Sequence, residues 1–311
     1  MTKQTYKKQA ALLLDVLPEV AKEDCFAMHG GTAINLFVRN MPRVSVDIDL
    51  TYLPIEDRQT SLENIAAALE RVKANIEKRI PAVRVTHKED IGKLLISTQA
   101  ADIKLEVNLV GRGALSAPET MPLCSRAQDE FDVFCTMPIM PLGQLYGGKI
   151  CAALDRQHPR DLFDVKFLLE NEGFTDEIKT GFLLCLLSGD RPIHEIVSMN
   201  LQDQLLAIHN QCEGIREAAR PNLQHHHLPM QNQFEAMCEE PFSYDDYEAT
   251  RDQLIETIHQ NLNAQDKAFL LSVKNLMPDW SLYDFERFPA VQWKIQNLQK
   301  LKDINPDKHR A

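Results

Sequence analysis

The sequence predicts an α+β fold, with a small mixed sheet in the first part of the chain and a helical body in the second. Alternating apolar and polar residues, which are typical of half-buried strands, are confined to residues 1–140. Beyond residue 141 the apolar residues recur at helical spacing instead. We therefore expect an α/β domain over residues 1–140 and a helical domain over residues 141–311.

The first predicted elements are a helix, a glycine turn, a second short helix and a strand. Helical spacing of apolar residues predicts a helix over 5–23, and Gly30-Gly31 ends that pattern. A short apolar helix over 33–37 follows the glycines. The segment Val44–Tyr52 alternates strictly between apolar and polar residues, which predicts a half-buried strand.

The next predicted elements are a helix that covers the sheet and two further strands. Thr60 and Glu63 have the spacing of a capping box, and the helix that they open is expected to end at Pro81. Two alternating runs, Lys93–Thr98 and Ile103–Val110, are separated by a short polar turn. They predict an antiparallel pair, so the sheet should contain at least three strands.

The rest of the chain is predicted to be a series of helices. Their expected bounds are 142–157, 160–171, 177–188, 194–210, 244–262, 264–275 and 290–302. The proline-containing stretch 219–242 interrupts the series and predicts a long loop or a boundary.

Composition excludes several classes of protein. The 44% hydrophobic and 25% charged residues are typical of globular proteins. The seven cysteines never form a Cys-x-x-Cys pair, and no run reaches the ~18 apolar residues of a membrane helix, so we expect a cytoplasmic protein with no membrane partner. Because the net charge is -11, a nucleic-acid partner would have to be held by a local basic patch.

Two aspartates on the predicted strand Val44–Tyr52 indicate chemistry. Asp47 and Asp49 are two residues apart, so they share one face of the strand and lie about 6.6 Å apart along it. Carboxylate oxygens at this spacing suit Mg²⁺, which completes its shell with waters and substrate phosphates. The structural alternative is an edge strand whose solvent face carries two aspartates, although aspartate is depleted in strands.

A third carboxylate, Glu106, lies on the polar face of the predicted strand Ile103–Val110. Three carboxylates on one sheet face repel one another unless a divalent cation lies among them. Glu106 is therefore a candidate metal ligand, and ordinary solvent exposure is the alternative that stays open.

The glycine pair upstream of the aspartates suits a phosphate site. Gly30 and Gly31 permit close approach of a ligand to the backbone. The helix that follows them would direct free N–H groups and the positive end of its dipole at a triphosphate.

A second polar cluster lies beyond the sheet. Asp161 and Asp164 are three residues apart on one side of their predicted helix, and Lys149 precedes Asp164 by a spacing that lets two antiparallel helices bring them together. A lysine held by a carboxylate can meet phosphate charge, whereas the alternative is a structural salt bridge between two helices.

Four motifs in this order resemble those of the AbiEii/MenT-type nucleotidyltransferase toxins, within the polymerase-beta-like nucleotidyltransferase superfamily. They are Gly30 to Ile34, Arg43 to Leu50, Lys104 to Asn108, and Lys149 to Ala152 together with Arg160 to Val165. The resemblance implies an enzyme that uses Mg²⁺ or Mn²⁺ and transfers NMP from an NTP to an acceptor. In the characterised toxins the acceptors include the 3′ end of tRNA, and modification there would block translation.

The resemblance also implies roles for single residues. Asp47 and Asp49 would hold the metal, with Glu106 as a third ligand, and Asp164 would orient Lys149 or support the acceptor. The residues expected at the nucleotide are Gly30, Gly31, Thr32, Arg43, Ser45 and Lys149. A cognate antitoxin encoded nearby is implied as a protein partner.

An RNA acceptor requires phosphate contacts, and the window 71–93 is net basic. The candidate RNA-binding residues are Arg71, Lys73, Lys78, Arg79, Arg112, Arg156 and Arg160. A charged stripe on a solvated helix is the structural alternative. For the whole protein two other functions stay open, a small-molecule nucleotidyltransferase of the antibiotic-modifying type and a non-catalytic module that binds an NTP or a protein.

Overall fold

The structure is a computed structural model that describes residues 2–156, 158–189, 234, 236–238 and 241–310. The predicted helix over 194–210 and most of the predicted loop over 219–242 lie outside these residues. None of the helices described is both long enough and apolar enough to span a bilayer.

The described residues form an α+β fold, as the sequence predicts. The strands are β1 Phe26–His29, β2 Asp47–Tyr52, β3 Arg84–Lys88, β4 Lys93–Ser97, β5 Asp102–Asn108, β6 Glu119–Pro122 and β7 Thr136–Ile139. The helices are α1 Lys3–Val20, α2 Gly30–Ala33, α3 Arg58–Arg79, α4 Ser125–Phe131, α5 Leu142–Arg156, α6 Pro159–Asn171, α7 Asp176–Ser188, α8 Tyr244–Asn261, α9 Ala264–Lys274, α10 Pro289–Ile304 and α11 Pro306–Arg310. Helix α2 continues into a π-helical turn over Ile34–Val38.

The strands form one mixed sheet of seven in the order β3-β4-β5-β2-β1-β7-β6. The pairs β2–β5 and β1–β7 are parallel, and the other neighbours are antiparallel. Strand β2 therefore lies between β5 and β1, and Asp49 is in register with Glu106 on one side and with His29 on the other. The predicted antiparallel pairing of β4 with β5 is confirmed.

One face of the sheet is apolar and is covered by helices. Ile48, Leu50, Leu94, Ile96 and Leu105 are all fully buried and alternate along their strands with polar residues. Helices α1 and α3 contact β3, β4 and β5, and their own buried residues are spaced as an apolar stripe. Because successive strand residues point to opposite faces, the aspartates of β2 lie on the other side of the sheet.

Helix α5 is held against α7 by glycines. A Cβ on Gly147 would lie 2.3 Å from the backbone of Gly181, and one on Gly143 would lie 2.4 Å from the carbonyl oxygen of Glu177. Only residues without a side chain allow backbones to approach so closely. Gly147 thus serves helix packing, which fixes the position of the neighbouring Lys149.

The N-cap of α3 and three short strands are among the differences from the sequence prediction. Helix α3 begins at Arg58, and its N-cap is Asp57, whose carboxylate accepts from the backbone N–H of Thr60 at 3.0 Å. The predicted capping box of Thr60 and Glu63 is therefore wrong by one turn, since aspartate three residues earlier caps the helix. Strands β1, β6 and β7, each of four residues, are too short for an alternation to show.

Candidate active site

A cavity of about 430 Å³ lies on the polar side of the sheet. Its walls come from β2, the end of β5, the helices α5 and α7, and the beginning of α10. Asp49 and Lys149 both line it, as do Gly30 and Gly31. A second pocket, also of about 430 Å³, shares Asp49 and His29 with the first and includes Glu106. Asp49 therefore stands between two concave spaces.

The two aspartates face the same side of β2 and have oxygens free for a cation. Asp49 makes no hydrogen bond or ion pair within the described part of the chain, and the nearest cation to Asp47 is the Lys104 Nζ at 4.0 Å. Burial raises the pKa of Asp47, and the charges of Asp49 and Glu106 add to this effect while Lys104 opposes it. Desolvated carboxylates of like charge that lack donors fit a divalent cation, because its charge would offset their repulsion.

Glu106 is placed differently from the aspartate pair. Its carboxylate is ion-paired with Lys93 through one oxygen and with Lys104, at 2.7 Å, through the other. Burial tends to raise the pKa of Glu106, but the two ammonium groups outweigh this effect and the pKa is lowered. Glu106 can reach a cation only if one lysine releases it, so the geometry favours Asp47 and Asp49 as the metal pair.

Gly30 lies directly against the Asp49 carboxylate. A Cβ at Gly30 would stand 2.5 Å from Oδ2 of Asp49, and the residue has a φ of 76°. Both the left-handed backbone and the close approach require glycine at this position. The glycine turn and the strand are thus fitted to each other at the point where the aspartate enters the cavity.

We expect Gly30→Ala to displace the Asp49 carboxylate and to lower nucleotidyl transfer about 100-fold, the cost of a misplacement of about 1 Å in a catalytic site. Gly173→Ala is the matched control, because Gly173 has a φ of 70° but no atom within 4 Å of an added Cβ. Both variants should lose roughly 1–2 kcal/mol of unfolding free energy from the left-handed conformation. Equal activities of the two variants in a transfer assay would contradict this role of Gly30.

The polar residues around Gly31 form a buried support. A Cβ on Gly31 would lie 2.7 Å from Nη2 of Arg43 and 3.3 Å from Oγ of Ser45. Thr32 is fully buried, and its hydroxyl lies 2.9 Å from Ser45 Oγ. The sequence placed Thr32, Arg43 and Ser45 at the nucleotide. Their side chains are buried and do not line the cavity, and their assignment to the nucleotide stays a prediction.

Arg43 and Lys149 meet at Asp164. The guanidinium of Arg43 donates to both oxygens of Asp164 at 2.8 and 2.6 Å, and Lys149 Nζ lies 3.0 Å from the same carboxylate. Asp161 also lies 3.0 Å from Lys149 Nζ. Burial opposes ionisation of Asp164, but the charges of Arg43 and Lys149 outweigh it and lower its pKa to about 2. Lys149 is therefore held by two carboxylates at the wall of the cavity.

Three residues of this region have little signal in the sequence. Asn35, inside an apolar helical turn, donates to Asp164 at 2.9 Å and to the carbonyl of Gly31, also at 2.9 Å. His29 and Thr51 line the cavity, and their side chains are bonded to each other at 3.0 Å. A polar residue within a buried apolar helix is the one signal that could have indicated Asn35.

The basic residues proposed for RNA are divided between two places. Arg71 and Arg79 of α3 are paired with Glu23 and Glu19, and Lys73 lies 3.6 Å from Glu70. Helix α3, which also carries Lys78, covers the face of the sheet away from the aspartates. The structure thus does not bring the α3 cations to the cavity.

The remaining three candidates lie on the cavity side. Arg112 and Arg156 line the cavity. Arg156 is bound to Asp161 at 3.0 Å, and its side chain is 60% exposed. The charge of Arg160 reaches Asp47, where it opposes the larger effect of burial on the pKa of that carboxyl. Of the seven basic candidates, these three arginines are therefore the ones on the side of the sheet that carries the cavity.

A separate group of ligand-type side chains lies outside the cavity. Ligand atoms of Glu70, His87 and Glu89 lie within 4.8 Å of one another. The imidazole Nδ1 of His87 is 2.6 Å from Glu70, whose side chain is half exposed. None of these residues lines the cavity or its neighbouring pocket.

Comparisons with known proteins identify a family and a similar fold. The family model described as nucleotidyl transferase AbiEii toxin, type IV toxin-antitoxin system, matches residues 11–297. The solved structure of MenT4, a nucleotidyltransferase toxin from Mycobacterium tuberculosis H37Rv, is similar in fold, with a TM-score of 0.53 and 15% sequence identity over 96% of this chain and 99% of MenT4. A search of curated proteins finds no match. Because the family model spans most of the chain, the protein belongs to the AbiEii family of nucleotidyltransferase toxins of type IV toxin-antitoxin systems.

Proposed function

We propose that this nucleotidyltransferase uses Mg²⁺ or Mn²⁺ to transfer NMP from an NTP to the 3′ end of a cytoplasmic RNA, most simply tRNA, and so blocks translation. The observation that carries the proposal is the position of Asp49 between two pockets, one of which also contains Lys149 and the glycine turn. A metal-dependent transferase brings its two substrates together at the metal, and a carboxylate shared by two pockets is placed to hold that metal.

The residues of the first pocket, together with Asp47 on the same face of β2 as Asp49, suit a nucleotide. Asp47 and Asp49 would hold the metal, which supplies charge neutralisation for the phosphates and orients the α-phosphorus for in-line attack. Lys149 would contact the phosphate oxygens, and Asp161 and Asp164 would keep its ammonium in place. The backbone of Gly30 and Gly31 would lie along the phosphate chain.

The second pocket suits the acceptor. Lys93 and Lys104 lie beside it through their ion pairs with Glu106, so the pocket is not purely acidic. An acceptor hydroxyl placed there would attack the α-phosphorus from the side of Asp49. The new P–O bond forms as the bond to the β-phosphate oxygen breaks, pyrophosphate leaves, and the hydroxyl proton passes to water.

A cognate antitoxin is proposed as the protein partner. Support comes from the family, whose members are toxins of two-component systems. The described cysteines are free thiols, in accord with a reducing compartment. Membership of the family therefore supports a cognate antitoxin that counteracts the toxin.

The test is incubation of the purified protein with each α-³²P-labelled NTP, Mg²⁺ and total tRNA. We expect label in RNA of tRNA size with at least one NTP, no label after chelation of the metal, and no label on tRNA whose 3′ end has been oxidised with periodate. Label in an aminoglycoside but not in RNA would favour the small-molecule alternative. No transfer to either acceptor, with the NTP nonetheless bound, would favour a non-catalytic module.

A further inference from the structure

Arg112 is a buried cation at the wall of the cavity, and its side chain has no ion-pair partner among the described residues. It follows β5, lines the cavity and is 5% exposed. Its Nε and Nη1 atoms are buried, and neither has a hydrogen-bond partner among the described residues. Its backbone N–H donates to the carbonyl of Val110, which anchors the loop that carries the side chain.

The other buried cations near the cavity are paired. Lys149 contacts two carboxylates, and Arg43 holds Asp164 with two hydrogen bonds. The pKa of Arg112 is lowered from its ordinary value, first by burial and then by the charge of Arg58. The charges of Glu56 and Asp57 act in the opposite direction without forming an ion pair with Arg112 in the described part of the chain. An unpaired buried guanidinium costs free energy, so its place in the cavity calls for an anion that arrives with a ligand.

We propose that Arg112 binds a phosphate group of the NTP in the cavity and is a nucleotide-binding residue rather than an RNA-binding one. The inference rests on the proposed function and assigns a residue of that same site. Arg112 shares one cavity with Lys149, Gly30 and Gly31, the residues proposed for the phosphate chain. Because Arg112 is only 5% exposed and lines the cavity, the contact that we propose is with a phosphate that enters the cavity with the nucleotide, and not with RNA on the outer surface.

The planar fork of the guanidinium matches a phosphate. It can donate two parallel hydrogen bonds to two phosphate oxygens, and such charge-assisted bonds are stronger than neutral ones. Loss of contacts of this kind weakens binding by roughly 10- to 100-fold. Replacement of Arg112 by an apolar residue also removes an unpaired buried charge from the ligand-free protein. The substitution should therefore stabilise the free protein and weaken the binding of the ligand.

The experiment compares Arg112→Met with the matched control Arg58→Met in calorimetric titrations. Arg58 is exposed, does not line the cavity, and is close enough for its charge to act on Arg112. The probes are the four NTPs with Mg²⁺, inorganic tripolyphosphate, and total tRNA. For Arg112→Met we expect a melting temperature without ligand at or above that of the wild type, and affinity for tripolyphosphate and the bound NTP at least about tenfold lower. Arg58→Met should bind both as the wild type does.

The outcomes separate this inference from the proposed function. If the wild type binds no NTP, the proposed function fails. If the wild type binds an NTP and Arg112→Met binds it and tripolyphosphate equally well, the role of Arg112 is overturned while the proposed function stands. A loss confined to tRNA binding would also overturn it, since the phosphate would then belong to the acceptor.

Discussion

Asp49→Asn should abolish nucleotidyl transfer, with a fall of at least about 1000-fold, while the protein stays folded. The substitution removes one of the two charges proposed to hold the metal, and metal ions contribute several kcal/mol of charge stabilisation in such transfers. The carboxylate makes no hydrogen bond or ion pair within the described residues, so its neutralisation breaks no structural contact. The measurement is initial rate of label transfer, with circular dichroism as the check on folding.

Asp102→Asn is the matched control for this prediction. Asp102 is an exposed aspartate at the beginning of β5, the strand that pairs with β2, and its side chain does not line either pocket. The control removes the same charge from the same sheet and should keep wild-type activity. A folded Asp49→Asn variant that transfers label within tenfold of the Asp102→Asn rate would contradict the metal assignment.

Asp164→Ala should produce the largest loss of stability. Its removal leaves the guanidinium of Arg43 and the ammonium of Lys149 buried without this partner, and breaking a buried ion pair costs about 3–5 kcal/mol. Asp284→Ala is the control, because Asp284 is 87% exposed and lies 3.9 Å from Arg287, an arrangement worth at most about 1 kcal/mol. Urea unfolding measures both free energies, and equal values for the two variants would refute the role of Asp164.

The same carboxylate gives the wild type a defined response to acid. The pKa of Asp164 in the folded protein is about 2, below the ordinary value of about 3.9 for the unfolded chain. A depressed pKa means that the stabilising contribution is complete above the unfolded value and is lost as the pH falls through the folded one. In the wild type, Asp164 contributes to the loss of stability between about pH 4 and pH 2. This contribution should be absent in Asp164→Ala.

The elements that carry the aspartates could be predicted because their patterns are long. The alternation Val44–Tyr52 fixed which side chains share a face, and α5 and α6 have apolar stripes that place Lys149 and Asp164 on facing helices. The predictions of these helices agree with the structure to within one residue at either end. Periodicity thus located the elements that carry the candidate residues, because it depends on how strands and helices repeat.

The buried contacts of Thr32 and Arg43 could not be predicted, because a motif does not tell which of its polar side chains pair with one another. Arg43 is bound to a residue on α6, and that contact depends on how the helix docks against the glycine turn. The unpaired state of Arg112 is likewise a property of the packed cavity. Sequence spacing indicates which residues are neighbours on one element, but pairing between elements is set by tertiary packing.

The most direct test of the central claim is a crystal structure of the protein with Mn²⁺ and a non-hydrolysable NTP, with the ion located by its anomalous scattering. We expect the ion to be coordinated by both Asp47 and Asp49, with the phosphate chain reaching Lys149 in the cavity. An ion found instead only at Glu70, His87 and Glu89, or a nucleotide bound away from Asp49, would contradict the account.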